Sequence, residues 1–244
     1  LDSTNLEILQ DAADFYREQR RYGKAFRLYP LIISHPEAEA WQRANAYAHL
    51  GELFANTGSL PDALKAFEQY NYAYDTLNKA APNYSFYKEN LAISYEKLGS
   101  TYTALGQLDS ALLYYQERSR LGKELYEAYP QNVNFKNGLA ISYWKLGDLY
   151  YRRTEVDAAR DFFKKAERHW VDLANRFPQY VEFQRNLRIV QNRLAETANA
   201  TREDLIVQNR ISKITLIEQQ IEAETDPATK VRLQQSVAAS LKAI

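Results

Sequence analysis

Few residues in this sequence have the types and spacing that chemistry requires, and the three histidines come first. His35, His49 and His169 stand far apart, and none has a second histidine at metal-ligand spacing. The chain has no cysteine, which excludes disulfides, thiolate nucleophiles and cysteine-bound zinc. It also lacks a glycine-rich phosphate loop, a serine elbow and an HExxH motif. The sequence therefore predicts no metal site, no cofactor and no catalytic nucleophile.

Paired carboxylates are the remaining candidates for catalysis. Asp2 and Glu7 lie near the start of the chain, whereas Glu222 and Glu224 lie in a charged run near its end. A glycosidase holds two carboxyl groups at a fixed separation across a pocket, and an enzyme in general needs pre-oriented groups in a cavity. Nothing in the sequence indicates such a cavity, so we expect no catalysis within these residues.

The composition of the 244 residues limits the classes of partner. Lysine plus arginine and aspartate plus glutamate number 31 each, so no net field draws the chain to nucleic acid or to an anionic membrane. The chain has no apolar window long enough to span a bilayer, and its start lacks the order of a signal peptide. We expect neither nucleic acid nor membrane as a partner, and the cytoplasm is favoured although no feature fixes the compartment. Charged pairs such as Glu117 and Arg118 are expected on solvated helix faces.

One stretch of the sequence occurs twice. NLAISYEKLG at residues 90–99 returns as GLAISYWKLG at residues 138–147, and from the first leucine onward the two differ only where Glu96 becomes Trp144. The same 48-residue spacing recurs along the chain. It relates three sets of residues: Leu50, Leu98, Leu146 and Leu194; Gly51, Gly99 and Gly147; Tyr47, Tyr95 and Tyr143.

Each 48-residue unit has the pattern of two helices. Apolar residues at three-and-four spacing predict a helix A over residues 87–105. A helix B is predicted over residues 110–129, with Asp109 as its N-cap and Pro130 after its end. The breaker between them, LGQLD, is so short that only an antiparallel pair buries both apolar faces. One pair cannot bury its own outer face, so the sequence predicts a stack of pairs, a solenoid.

Glycines mark two places in each unit. Gly58 and Gly106 fall in the breaker, but Thr154 takes this place in the next unit, where we expect a different turn. The three glycines inside helix A each cost about 1 kcal/mol relative to alanine. We expect close approach of helix B to offset this cost. The small residues expected on the facing helix are Ala63, Ala111 and Ala159.

The repeated positions resemble the signature of the tetratricopeptide repeat (TPR) family. The matching residues of the three units are Tyr47, Leu50, Gly51, Phe54, Gly58, Ala63 and Phe67; Tyr95, Leu98, Gly99, Tyr102, Gly106, Ala111 and Tyr115; Tyr143, Leu146, Gly147, Tyr150, Ala159 and Phe163. The family repeat has about 34 residues, and each unit here is longer by about two turns in each helix. Long-helix arrays of this kind are loosely similar to repeat regions attached to bacterial signalling ATPases or caspase-like proteases. The resemblance implies a right-handed superhelix with the A helices on its concave side.

These patterns together predict an all-α fold: an α-solenoid of antiparallel helix pairs with a C-terminal helical cap. The predicted parts are a degenerate N-terminal pair at 1–39, three long TPR-like repeats at about 40–82, 83–130 and 131–178, and capping helices at 179–244. Pro30 should kink or interrupt the second helix of the N-terminal pair. The last capping helix should begin at Pro227 behind an Asp226 cap. A self-associating coiled coil is the less favoured alternative for residues 179–244.

The A helices of a TPR-like stack would line a binding groove with the residues that do not pack on helix B. The residues predicted for this groove are Asn45, His49, Glu52, Glu96, Lys97, Ser100, Trp144, Lys145, Asp148, Tyr151 and Arg152. Trp144 is either an aromatic contact for a partner or ordinary packing between A helices. Aromatic and arginine residues carry much of the binding energy at interfaces, so Glu96 and Trp144 are the first candidates for partner contact.

Some TPR proteins clamp the terminal carboxylate of a peptide with lysines and asparagines on the A helices. This sequence departs from that pattern, because Glu52, Ser100 and Asp148 stand where a clamp asparagine would be expected. The mixed charge favours a peptide or protein with an apolar anchor and some basic character over an acidic C-terminal tail.

Three functions remain as hypotheses at the level of sequence. The leading one is a non-catalytic scaffold that binds a protein, a peptide or another domain of its own parent chain. The chain opens on Leu1 without methionine, which suggests a piece of a longer protein; a sensor or autoinhibitory region of a larger enzyme is therefore the first alternative. The second alternative is a structural module that forms oligomers through its C-terminal helices.

Overall fold

The computed structural model describes residues 5–199, 202–224 and 226–242, so Asp2 and the chain end at Ile244 lie outside the described residues. The described part forms α-helices and no β-strand, which confirms the predicted all-α fold. The helices are α1 Leu6–Glu18, α2 Tyr22–Ser34, α3 Ala40–Asn56, α4 Leu60–Ala80, α5 Ser85–Ala104, α6 Leu108–Ala128, α7 Val133–Arg152, α8 Val156–Arg176, α9 Val181–Asn199, α10 Arg202–Ala223 and α11 Pro227–Leu241. Within these residues, no helix combines the length and apolarity needed to cross a bilayer.

The helices divide into two compact units, which meet in the chain between Leu146 and Gly147. In the first unit, consecutive helices from α1 to α6 pack on one another, so that the pairs α1–α2, α3–α4 and α5–α6 stack in chain order. In the second unit, α8 packs on α9 and α10 packs on α11. Helix A of the repeated stretch is α5 and helix B is α6, each beginning and ending within two residues of the sequence prediction.

The A-to-B turns have the same geometry in all three repeats. Gly58 and Gly106 have left-handed backbones, with φ of 85° and 73°, and Thr154 has φ of 64°. Each turn closes with the same hydrogen bond of a Schellman motif, 2.9 Å long: Ser59 N to Phe54 O, Gln107 N to Tyr102 O, and Glu155 N to Tyr150 O. The expectation of a different turn at Thr154 is therefore wrong. A threonine occupies a conformation that favours glycine, and the local hydrogen bonds hold it there.

The glycines inside the A helices lie against aromatic rings of helix B. A Cβ added to Gly51 would stand 2.6 Å from the Phe67 ring, and one added to Gly99 would stand 2.7 Å from the Tyr115 ring. Gly147 has the same relationship to Phe163, at 2.5 Å. The predicted close approach of the two helices is present, but the facing groups are these rings. The predicted alanines of helix B, Ala63, Ala111 and Ala159, are fully buried.

The beginning of helix B also differs from the sequence prediction. Helix α6 begins at Leu108 with Gln107 as its N-cap, and no side chain caps it. Asp109 therefore lies in the first helical turn, where its carboxylate interacts favourably with the helix dipole. Asp226 does cap α11 as predicted: its Oδ2 accepts a hydrogen bond of 2.8 Å from Thr229 N, with Pro227 at the first helical position.

The N-terminal pair keeps Pro30 inside a continuous helix. Helix α2 runs from Tyr22 to Ser34, so the predicted interruption at Pro30 is wrong, whereas the alternative of a kink there stays a prediction. Tyr29 and Ile32, each 2% exposed, anchor the helix on either side of the proline. Packing of these side chains against Leu9 and its neighbours stabilises the last turn enough to outweigh the missing backbone donor.

Candidate partner-binding groove

Polar side chains on successive A helices of the first unit are bonded to each other. Lys97 on α5 donates from Nζ to Glu52 Oε1 on α3, 2.7 Å away. Lys145 on α7 donates in the same way to Ser100 Oγ on α5, 3.2 Å away. Donor and acceptor are 45 residues apart in both contacts. We call this series the inter-repeat ladder and each contact a rung.

The second unit contains a rung of the same kind. Arg193 on α9 donates from Nη2 to Asp148 Oδ1 on α7 at 2.9 Å, again 45 residues back. Arg152 donates to the other oxygen of Asp148 at 2.8 Å. The Arg193 guanidinium also lies 5.3 Å from the ring centroid of Tyr151, and burial raises the pKa of this tyrosine. Asp148, Tyr151 and Arg152 therefore lie together around an arginine that sequence reasoning did not include.

His49 lies at the beginning of the ladder, between two carboxylates. Its Nε2 lies 3.9 Å from Asp14 Oδ1 on α1, and its Nδ1 lies 3.6 Å from Glu52 Oε2 on α3. The ring packs against Tyr29, with centroids 5.5 Å apart. Burial raises the pKa of Glu52, but His49 and Lys97 outweigh that effect and lower it to about 2. Glu52 therefore carries its charge within a network that joins α1, α3 and α5.

The Ser100 rung differs from the others because its acceptor is neutral. Ser100 Oγ also lies 3.1 Å from the hydroxyl of Tyr115, and Thr103 Oγ1 donates to that hydroxyl at 3.5 Å. Lys145 is thus hydrogen-bonded to a hydroxyl network. Among the described residues of the first unit, no carboxylate pairs with Lys145.

Glu96 is bound inside its own helix pair. Its Oε2 accepts a hydrogen bond of 3.3 Å from Arg118 Nε on α6, and the Arg118 side chain is only 6% exposed. The expectation that Arg118 lies on a solvated face is therefore wrong. Gly122 and Gly138 border its guanidinium: a Cβ on either would stand 3.1 Å from one of its terminal nitrogens. The two glycines make room for a buried cation.

Trp144 is partly buried on α7. The ammonium of Lys145 lies 5.2 Å from the centroid of its ring, a cation–π distance. The indole Nε1 is buried without a hydrogen-bond partner. An unpaired buried donor costs about 1–3 kcal/mol, so this tryptophan is not a fully satisfied packing residue.

Two cavities open on the A helices of the first unit. Asn45, which accepts a 2.8 Å hydrogen bond from the Tyr74 hydroxyl, lines one of about 250 Å³ together with His49. The other, of about 400 Å³, lies between α3 and α5. It is lined by Glu52, Ala55, Asn56, Leu60, Phe67, Lys97, Ser100, Thr101 and Ala104.

Several of the predicted groove residues thus contact one another, which the sequence did not indicate. The first unit brings His49, Glu52 and Lys97 together and, one helix further, Ser100 and Lys145. Sequence reasoning missed their structural partners, which are Asp14, Tyr74, Tyr115, Arg118 and Arg193. One signal could have revealed the ladder: Lys97, Lys145 and Arg193 recur with the period of the repeat, like the acceptors they contact.

Metal coordination finds no support in the described part of the chain, where no group of three or more His, Asp or Glu side chains could hold an ion. His35 accepts a hydrogen bond of 3.2 Å at Nδ1 from Glu37 N in the loop after α2.

Comparisons with known proteins identify the fold. No protein-family model matches the chain, and no curated protein matches it in sequence. Among solved structures, BtubC (BKLC) from P. vanneervenii is 19% identical, with 79% of each chain covered and a TM-score of 0.50. A putative kinesin light chain from Podosopora anserina with nearly identical TPR-like repeats is 17% identical over 81% of this chain and 99% of its own, with a TM-score of 0.45. MamA from Desulfovibrio magneticus RS-1 is 16% identical over 90% and 98%, with a TM-score of 0.46.

These likenesses concern the fold alone, since the identities are 16% to 19%. Three observations indicate the same fold: the helix pairs of the repeat, the contacts between their glycines and aromatic rings, and the likeness to BtubC. The chain has a TPR-like, all-α repeat fold.

Proposed function

We propose that the protein is a non-catalytic scaffold that binds a segment of a protein or peptide along its A helices. The observation that carries this proposal is the cavity of about 400 Å³ between α3 and α5. Its volume lies in the range of side-chain and ligand pockets, about 300–1,000 Å³. Repeat folds supply such surfaces because neighbouring repeats leave clefts between their inner helices.

The lining of this cavity suits a partner with an apolar side chain. Ala55 and Ala104 on the A helices and Phe67 on α4 supply apolar surface. Asn56 at the rim is exposed, and its side-chain amide makes no hydrogen bond within the described residues. An apolar anchor in the cavity and a backbone hydrogen bond to Asn56 would give both affinity and orientation.

The groove can be tested without knowledge of the natural partner. A library of random twelve-residue peptides on phage is selected against the full chain, and the best binders are made as free peptides. Ala104→Phe fills the cavity and is expected to weaken their binding at least tenfold. Leu113→Phe is the matched control, because residue 113 is 66% exposed on α6. Equal binding by wild type and Ala104→Phe would contradict the proposal.

The regulatory alternative uses the same groove with a different occupant. If the parent chain carries a further domain, a segment of that domain would occupy the cavity, and selected peptides would compete with it. Release of activity in the longer protein by these peptides, abolished by Ala104→Phe, would establish that role.

Oligomer formation through the C-terminal helices has one observation in its favour. Three apolar side chains of α10 and α11 are about half exposed: Ile211 at 46%, Val231 at 50% and Leu241 at 55%. Sedimentation of the wild type at high concentration, against a Val231→Ser/Leu241→Ser variant, tests this candidate. A monomer in both cases rules it out.

A further inference from the structure

At the other positions of the inter-repeat ladder, each basic side chain lies beside a carboxylate. In the first unit, Lys97 contacts Glu52 at 2.7 Å, and His49 lies 3.6 Å from Glu52 and 3.9 Å from Asp14. In the second unit, Arg193 contacts Asp148 at 2.9 Å. Lys145 occupies the same position in its repeat but contacts the hydroxyl of Ser100. The rung to Lys145 therefore lacks one negative charge.

Substitution at residue 100 is the cause of this difference. Residues 52, 100 and 148 are equivalent in the repeat, and serine stands between two acids. The geometry at Lys97 shows that a glutamate at this position reaches the lysine of the next A helix. The serine leaves the ammonium of Lys145 with one neutral oxygen acceptor and the face of Trp144.

A partly buried ammonium in such a place favours an acidic partner. A hydroxyl acceptor does not neutralise the charge, and the Ser100 oxygen is already shared with Tyr115. A carboxylate from outside would form a charge-assisted hydrogen bond, which is stronger than the neutral one. Trp144 beside it offers an aromatic surface to an apolar neighbour of that acid.

We propose that the partner segment completes this rung with the side-chain carboxylate of an aspartate or glutamate, which binds Lys145 beside Ser100. This inference rests on the proposed function, since it names the chemistry that the groove recognises. It replaces the basic character that we expected of the partner from the mixed charge of the groove residues, because the groove's own lysines and acids are mostly paired with each other. An aspartate or glutamate next to an apolar residue is the expected motif.

The test uses the peptides selected against the full chain. Binders that contain an acid are synthesised as parent peptides and as Asp→Asn or Glu→Gln analogues, each with a free and an amidated C-terminus. Affinities are measured by fluorescence anisotropy. The amide analogues are expected to bind about tenfold more weakly, whereas amidation of the C-terminus should have little effect. If only C-terminal amidation weakens binding, the carboxylate comes from the chain terminus and the side-chain proposal is overturned.

Variants of the protein supply the decisive comparison. Ser100→Glu completes the rung internally, so it should raise the unfolding midpoint and weaken the acidic peptides about tenfold. Its effect on their amide analogues should be small. Ser100→Ala is the matched control, which removes the hydroxyl without adding charge and should keep the preference for acid. Lys145→Gln should abolish that preference.

The experiments distinguish an error in this inference about Lys145 from an error in the proposed binding function of the groove. If Ala104→Phe blocks the peptides but acid and amide forms bind equally, the groove stands and the role of Lys145 is wrong. If acidic peptides bind Ser100→Glu and wild type alike, the inference is overturned as well. If Ala104→Phe has no effect on any peptide, the proposed function itself fails.

Discussion

Arg118 Nε lies 3.3 Å from Glu96 Oε2, and this pair joins α6 to α5 with the arginine almost wholly buried. The equivalent positions in the repeat before are Ala48 and Tyr70, which belong to one packed cluster. In the repeat after, the sequence has Trp144 and Ala166. The substitution of Glu96 by Trp144 in the repeated stretch is thus accompanied by a change at the helix B position that Arg118 holds. Glu96 is part of the internal packing of its own repeat.

Removal of the Glu96 carboxylate alone should lower the free energy of unfolding more than removal of both Glu96 and Arg118. Glu96→Ala leaves a guanidinium that is 6% exposed without its partner, and we expect a loss of about 3 kcal/mol in the free energy of unfolding. Glu96→Ala/Arg118→Met removes the buried charge too and should regain most of this loss. Urea unfolding of the full chain measures both. A double variant less stable than Glu96→Ala would contradict the expectation.

Gly99 should not tolerate a methyl group. Gly99→Ala gains about 1 kcal/mol of helix propensity, but its Cβ would stand 2.7 Å from the Tyr115 ring. Overpacking costs about 1–3 kcal/mol, so the variant should be less stable by about 1 kcal/mol. Gly23→Ala is the control, because no atom lies within 4 Å of its added Cβ. Urea midpoints should move in opposite directions for the two variants.

Thr154 should gain stability from replacement by glycine. A left-handed conformation costs an L-residue about 1–2 kcal/mol, and Thr154 has φ of 64°. Thr154→Gly should raise the free energy of unfolding by about 1 kcal/mol, after the larger chain entropy of glycine is subtracted. At the equivalent turn, the Cβ that Gly106→Ala adds has no atom within 4 Å. This variant should therefore lower the free energy of unfolding by about the same amount, because alanine disfavours the positive φ of this position. Thermal unfolding tests the opposite signs.

The sequence predicted the helices and their pairing because these depend on local periodicity. The repeat spacing, the breaker LGQLD and the helical glycines sufficed to place α5 and α6 and their close contact. Local signals failed at two backbone positions that the residue types disfavour. At Pro30 the packing of the neighbouring side chains outweighs the preference, and at Thr154 the hydrogen bonds of the turn hold the left-handed backbone.

The groove was harder to predict for a different physical reason. Periodicity finds residues on the same face of equivalent helices, but it does not give the axial offset between neighbouring helices. That offset lets Lys97 reach Glu52, which lies 45 residues back and so short of one full repeat. Residues that we predicted one by one as partner contacts are therefore bonded to one another. Lys145 differs from the other basic residues of the ladder because its acceptor is a hydroxyl group.

The charge of Glu52 should make the fold sensitive to acid. Burial alone would raise its pKa, but His49 and Lys97 lower it from 4.5 to about 2. The folded state therefore binds fewer protons than the unfolded state between these two values. The stabilisation is complete above about pH 4.5 and is lost as the pH falls towards 2. Glu52→Gln lacks this contribution at every pH.

The comparison of wild type with Glu52→Gln across pH 2–6 isolates this group, since all other titrating groups are common to both. Wild type should be the more stable at pH 6, and the difference in urea midpoints should shrink as the pH approaches 2. Lys97→Met is the matched control for the cause. Without the ammonium 2.7 Å away, the pKa of Glu52 in the folded state should rise towards 4.5. The loss of stability should therefore still begin near pH 4.5, but it should be smaller and end at higher pH. A difference between wild type and Glu52→Gln that is constant with pH would show that the contacts of Glu52 act through packing instead of charge.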